Sequence, residues 1–207
     1  MLKKSLVCSA ILALTSSLAI AGTMGAAKAP CEKYNYKAGP YVGFSVGPRL
    51  MQTGSSLQYT GAEGTLSAGY GHLWSQWFYL AGEIFGGNSV RLKNYGTDIL
   101  PFARITGFRS TWSYGFDAIP GIMLNERTLG YVRGGVVNTR FKINTAAGVV
   151  EQSPTGGRAG VGIQTNVYSN LDVRLEYIYN QFDKQKKPTW GHPYANFMNL
   201  GIAYRFV

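Results

Sequence analysis

The stretch "LDVRLEYIYN", residues 171–180, limits what this chain can fold into more than any other part of it. Asp172, Arg174 and Glu176 alternate strictly with Leu171, Val173, Leu175, Tyr177 and Tyr179. A period of two is the signature of a β-strand, whose side chains point to opposite faces in turn. One face is apolar and the other ionic. A soluble sheet accommodates this by turning the charges to water. A membrane barrel does the reverse, with the apolar face outward and the charges inside.

The same period recurs along the chain. Eight segments carry it, at roughly 40–50, 62–72, 77–86, 110–122, 129–139, 159–168, 171–180 and 196–206. Each has about the 9–11 residues that a tilted membrane strand needs. The connections alternate in length: 51–61, 87–109, 140–158 and 181–195 are long, whereas 73–76, 123–127 and 169–170 are short. Long loops at one end and tight turns at the other predict an all-β, eight-stranded antiparallel up-and-down transmembrane barrel. After residue 21 no apolar run is long enough for a spanning helix.

Parity separates the two faces. The apolar face collects Val42, Phe44, Leu66, Leu80, Ile84, Trp112, Tyr114, Phe116, Val132, Val136, Val161, Leu175, Leu200 and Ile202, among others. The polar face carries Glu63, Glu83, Asp117, Arg133, Asp172, Arg174, Glu176 and Arg205, interleaved with glycine and small polar residues. That face has no lysine. Lys28, Lys33, Lys37, Lys93, Lys142, Lys184, Lys186 and Lys187 all fall in the lead-in or in expected loops. A solvated face would normally carry lysines, whereas a confined interior favours arginine, whose planar fork pairs with carboxylates. The eight charged residues are therefore expected to form an ion-pair network inside the barrel, with Arg49 left open. Their expected role is packing rather than catalysis. An eight-stranded barrel has just enough room for such side chains.

The N-terminus reads as an export signal, residues 1–21: Lys3 and Lys4, an apolar run to Ile20, and a small-x-small site at Ala19-Ile20-Ala21. Residues 22–39 form a periplasmic lead-in, and 40–207 the barrel. Of the 2 cysteines, Cys8 lies in the signal, which leaves Cys31 as a free thiol. The formal charge of +10 could suit nucleic acid, but export and the lack of any recognition motif argue against that partner. The expected outer loops are basic: Arg91, Lys93, Arg104 and Arg109 oppose Asp98; Arg140, Lys142 and Arg158 oppose Glu151; Lys184, Lys186 and Lys187 oppose Asp183. The 2 histidines, His72 and His192, stand in no serine–acid arrangement and with too few partners for zinc. No catalytic, cofactor or metal site is expected.

The segments "YVGFSVG", "GTLSAGYGHLW", "TWSYGFDAIPG", "GVGIQTNVYSNLDVRLEYIY" and "NLGIAYRF" resemble the eight-stranded outer-membrane barrels of the OmpA-transmembrane and opacity-protein type, the "porin family", over about 40–207. That resemblance implies a bacterial outer-membrane protein with four extracellular loops and a structural or adhesive surface role. A small porin-like channel is the alternative, and a lipid A-modifying enzyme stands further off. The resemblance also implies that Tyr204 and Phe206, in the last strand, are read by the barrel-assembly machinery. Lipopolysaccharide and host surface glycans or proteins are the expected outer partners, with Lys184, Lys186 and Lys187 as the candidate contact for anionic glycan or lipid.

The topology has a direct test on intact cells. Cysteines introduced at Ser55, Thr97, Gly148 and Lys186 are expected to react with an impermeant thiol reagent, and those at Ser75 and Asn170 to stay unlabelled. Labelling at Ser75 from outside rejects the up-and-down arrangement.

Overall fold

A computed structural model describes residues 38–52, 58–95, 105–145, 148–183 and 193–206. The expected signal, most of the lead-in, Cys31, His192 and the three lysines Lys184, Lys186 and Lys187 lie outside the described residues. The elements are β1 (Gly39–Gln52), β2 (Gln58–Leu73), β3 (Phe78–Tyr95), β4 (Ile105–Met123), β5 (Thr128–Thr145), β6 (Gly148–Gln152), β7 (Thr155–Tyr168), β8 (Leu171–Phe182) and β9 (Tyr194–Arg205). All pair antiparallel with their neighbours. The sheet runs β4-β3-β2-β1-β9-β8-β7-β5, and a β4–β5 ladder closes it. No helix among the described residues is long and apolar enough to cross a membrane.

Nine strands make eight staves. β6 and β7 face β5 in a single register: Phe141 pairs with Gln152, and Asn138 with Thr155, with no slip between. The ladder is interrupted only at Ser153-Pro154. Proline has no N–H to give, although its carbonyl still accepts from Thr139 N at 3.1 Å. The closed ring is thus the expected eight-stranded barrel, with its sixth stave broken in two by a proline.

The short connections sit where the sequence places them, and each is held by a side chain. Ser75 Oγ accepts from Phe78 N at 3.1 Å. Asn125 Oδ1 accepts from Arg127 N and Thr128 N at 2.9 and 2.8 Å. Ser169, with φ of 27°, turns the chain into Asn170, and Asn166 Nδ2 donates to the Ser169 carbonyl at 3.3 Å.

The other end departs from expectation. Residues 87–95, 105–109 and 140–158 were expected in loops, yet they largely extend β3, β4, β5, β6 and β7. β4 has 19 residues. At ~3.4 Å per residue and a tilt of ~40°, that is roughly 50 Å along the axis, about twice the apolar band of ~25 Å. The hairpins therefore continue well past the membrane. Their backbone hydrogen bonds need no apolar alternation, and where the outer face meets water the alternation fades.

Within the membrane the parity is as expected. Val42, Phe44, Leu66, Ile84, Trp112, Val136, Leu200 and Ile202 are exposed, while the residues between them are buried or half-buried. Two adjacent glycines show how sharply the faces differ. A Cβ on Gly135, which faces inward, would sit 2.0 Å from the Phe116 carbonyl oxygen and 2.3 Å from Asp117 Oδ1. A Cβ on Gly134, facing outward, would meet nothing within 4 Å. Gly135→Ala is accordingly expected to cost about 1–3 kcal/mol by overpacking, and Gly134→Ala to stay within about 0.5 kcal/mol of the parent. Urea unfolding from lipid vesicles measures both; equal sensitivity would reverse the assignment of faces.

Candidate functional site

The barrel interior is built in three layers. At the end with the short turns, Tyr41, Tyr79, Ala81, Ile119, Leu129, Tyr131 and Ala203 form an apolar cluster, with Leu73 and Met123 packed against it. At the opposite end Met51, Phe85, Val137, Phe141, Ile178, Phe182, Ala195 and Phe197 form a second one. The Phe141 and Phe182 rings meet edge to face at 5.5 Å. Between the two clusters lies a layer of charge.

All eight charged residues singled out in the sequence are buried, six of them in that layer, while Asp172 and Arg205 stand on the rungs of Ala203 and Tyr41, within the first cluster. Arg133 is the hub. Its Nη2 lies 3.0 Å from Glu83 Oε1 and 2.9 Å from Glu176 Oε1, and its Nη1 donates to Asp117 Oδ2 at 3.2 Å. Arg174 Nη1 donates to Glu83 Oε2 at 2.8 Å, and Tyr41 Oη donates to the same oxygen at 2.9 Å. Tyr131 Oη donates to Glu176 Oε1. Nearer the short turns, Asp172 Oδ2 accepts from Arg205 Nε at 2.9 Å and from Gln164 Nε2 at 2.6 Å. The phenols of Tyr41 and Tyr131 thus join the first apolar cluster to the ionic layer.

Two arginines alter the expected balance. Arg49, left open by the sequence, is buried and donates to Glu63 Oε2 at 3.0 Å, Ser89 Oγ at 3.1 Å and Ser110 Oγ at 2.7 Å. Arg158, assigned above to a basic outer loop, instead points inward. Its Nε lies 3.1 Å from Asp117 Oδ2, and its guanidinium stacks 3.9 Å above the Phe85 ring. The signal was present in the sequence: Arg158 is in step with Gly160, Gly162 and Gln164, and only the strand boundary concealed it. With these two, the buried charges among the described residues are Arg49, Arg133, Arg158, Arg174 and Arg205 against Glu63, Glu83, Asp117, Asp172 and Glu176. They cancel, which is the condition for holding ions in a confined, water-poor space.

The outer surface differs in kind. Trp74, Trp77, Tyr168, Tyr204 and Phe206 are exposed around the short-turn end, where aromatic girdles mark the membrane boundary. Tyr204 and Phe206 pack edge to face at 5.1 Å. His72 meets Trp74 edge to face at 5.6 Å, as an interfacial side chain. At the long-hairpin end, Glu151 is paired with both Arg140 and Lys142 on the exposed outer wall. Hydrogen bonds from Lys142 and then Arg140 hold its carboxyl below the usual carboxylate range. Among the described residues no group of three or more His, Cys, Asp or Glu could hold a metal.

The family model for the outer membrane protein beta-barrel domain matches residues 12–206. No curated protein matches the chain. Among solved structures, Neisserial surface protein A is similar at a TM-score of 0.60 and 18% identity, over 83% of this chain and 100% of that one. The attachment invasion locus protein Ail of Yersinia pestis is similar at 0.57 and 16%, over 83% and 100%. A second Ail structure, in complex with the heparin analogue sucrose octasulfate, is similar at 0.52 and 16%, again over 83% and 100%. At these identities the likeness is one of fold.

The hub predicts a hierarchy of stability. Arg133→Ala leaves Glu83, Asp117 and Glu176 to share Arg174 and Arg158, one buried positive charge short, and is expected to cost about 3–5 kcal/mol. Lys142→Ala removes an exposed pair and should cost less than about 1 kcal/mol. Unfolding from vesicles at neutral pH compares them, and equal losses would mean that the Arg133 cluster is open to water.

Proposed function

The chain belongs to the outer membrane protein beta-barrel domain family, and from that premise we propose that it is a non-catalytic surface barrel of the bacterial outer membrane, working through its extracellular end. The observation that carries this reading is the filled interior. Tyr41 and Asp172 at one end and Phe182 and Phe197 at the other are each no more than 3% exposed, and the charged residues between them no more than 5%. A water-sized sphere hardly reaches them, whereas an open pore would leave its lining accessible. The channel alternative therefore has no support from the interior. Among the described residues each buried charge is ion-paired with another, so none stands as the free acid or base that a hydrolase presents.

The extended hairpins present what the barrel offers to its surroundings. Lys184, Lys186 and Lys187, between β8 and β9, bring a dense basic sequence to that end of the chain. The partner we propose for them is an anionic glycan, either a sulfated host polysaccharide or the phosphorylated saccharide of the outer leaflet. The Ail structure bound to a heparin analogue shows that a barrel of this shape can meet such chemistry.

Binding of the folded chain to immobilised heparin or lipopolysaccharide is expected to weaken as salt rises, since the Debye length shrinks to about 3 Å at 1 M. Replacing Lys184, Lys186 and Lys187 together by Gln should weaken it at low salt while the far-UV circular dichroism stays that of the barrel. Binding unchanged by both salt and the triple variant removes the basic-loop reading and leaves the structural one.

A further inference from the structure

The outer wall carries a groove of about 610 Å³, lined by Trp112 and Tyr114 of β4, Asn138 and Arg140 of β5, Glu151 of β6 and Ser153 beside it. It lies where the wall changes character. Up β5 the outward residues run Val132, Gly134, Val136, then Asn138, Arg140 and Lys142. Apolar gives way to polar at the rung where Asn138 pairs with Tyr114. That rung is the membrane–water boundary on this side, with Trp112 and Tyr114 as its exposed aromatic girdle.

The ladder is irregular on both sides of Arg140. On β4 the register slips between Ser110 and Ser113, so that Thr111 and Trp112 stand opposite Arg140. Bulges of this kind re-aim side chains, and Thr111 Oγ1 donates to the Arg140 carbonyl at 3.2 Å. On the other side the stave breaks at Ser153-Pro154, where Asn138 Nδ2 donates to the Ser153 carbonyl at 3.3 Å and to Thr155 Oγ1 at 3.2 Å. Two interruptions flanking one arginine open the wall at this point.

The charge is one-sided. Arg140 and Lys142 share the single carboxylate of Glu151, and all three side chains are 36–52% exposed. Such a pair opens readily, since water stabilises both partners when they separate. One cationic charge remains uncompensated even while it is closed. Below Tyr114 and Asn138 the lipid-facing surface is uneven: the next rung carries Phe116, Val136 and Gly157, with Gly157 open on its β7 side, and the rung beneath is low throughout, with Ala118, Gly134 and Ala159. Gly134 and Gly157 have nothing within 4 Å of where a Cβ would stand.

We propose that this groove is a binding site for one anionic lipid of the outer leaflet. Its phosphate takes the place of Glu151 between Arg140 and Lys142, its head lies against Trp112, and an acyl chain lies over Gly157, Gly134 and Ala159. Charge complementarity selects the phosphate, and the low apolar surface beneath selects an acyl chain over a soluble sugar phosphate. The site rests on the outer-membrane location and is separate from the lysines at 184, 186 and 187.

The full-length chain, folded into phosphatidylcholine vesicles doped with either diphosphoryl lipid A or phosphatidylglycerol, is then extracted and weighed by native mass spectrometry. Wild type is expected to retain one anionic lipid in preference to phosphatidylcholine. Retention of both dopants supports a site that reads phosphate and chain, and retention of lipid A alone supports one that reads the sugar as well. Arg140→Gln with Lys142→Gln should lower the retained fraction about tenfold, as loss of charge-assisted hydrogen bonds implies. Gly157→Leu, which fills the open surface without touching the head site, should lower it severalfold. Circular dichroism confirms that both variants are folded. The triple Gln variant at 184, 186 and 187 should keep the lipid, so failure of the basic-loop reading leaves this one standing. Undiminished retention in the Arg140/Lys142 variant, or no preference over phosphatidylcholine, would overturn the site.

Discussion

A backbone in hydrocarbon has no water to bond to, so every N–H and C=O must find a partner in the chain itself. Closure of the sheet is the condition on which everything else here depends. The β4–β5 and β1–β9 ladders join the sheet into a ring, which leaves no edge facing lipid. Once the ring holds eight staves, its interior is too narrow for a water column and must be filled with side chains. The strand alternation then dictates what those side chains are. Every second residue faces lipid and must be apolar, and the others are free to be polar provided they satisfy one another.

The chain meets that provision with arginine and carboxylate rather than with an all-apolar core. A guanidinium reaches several carboxylates at once, and Arg133 does so across strands far apart in sequence: Glu83 on β3, Asp117 on β4 and Glu176 on β8. Each ion pair therefore ties distant staves together through the centre of the barrel. The two apolar clusters cap this layer and shield it from water at both ends. Removing one charge from such a set leaves another unpartnered, which makes the layer cooperative.

How much of this the sequence discloses depends on which environments flank a residue. In β8 and β9 one face meets lipid and the other the interior, so the alternation is complete and the residues 171–180 announce both the strand and its orientation. Past the membrane, in residues 87–95 and 140–158, the outward face meets water instead of lipid, so the pattern that identifies a strand disappears although the ladder continues and Ser89, Phe141 and Arg158 still face the interior. Arg158 escapes the pattern for that reason. It follows the buried Gly156 in β7 at the point where the outward residues, Thr155 and Gly157, give no apolar signal. Partner choice in the interior was not legible at all. That Arg133 rather than Arg174 is the hub depends on the stagger of the staves around the ring, a property of the closed barrel and not of any one strand.

The same reasoning bears on the two irregularities that flank Arg140 on the outer wall. Inside the membrane a missed rung leaves a polar group bare in lipid, so the ladders β1–β2 and β5–β7 run without a slip through the apolar band. At the boundary, water or a lipid head can satisfy what the ladder leaves open, and the constraint relaxes. The Thr111–Trp112 bulge and the Pro154 break both fall at that level, on the two neighbours of Arg140. A bulge and a proline one rung lower would each face hydrocarbon. Placed here, they cost little and turn a smooth wall into a groove with aromatic rings below and cations above. The position that tolerates irregular backbone is thus also the position where a membrane-embedded ligand with a charged head can be met. Both follow from the one gradient in polarity that the closed ring crosses.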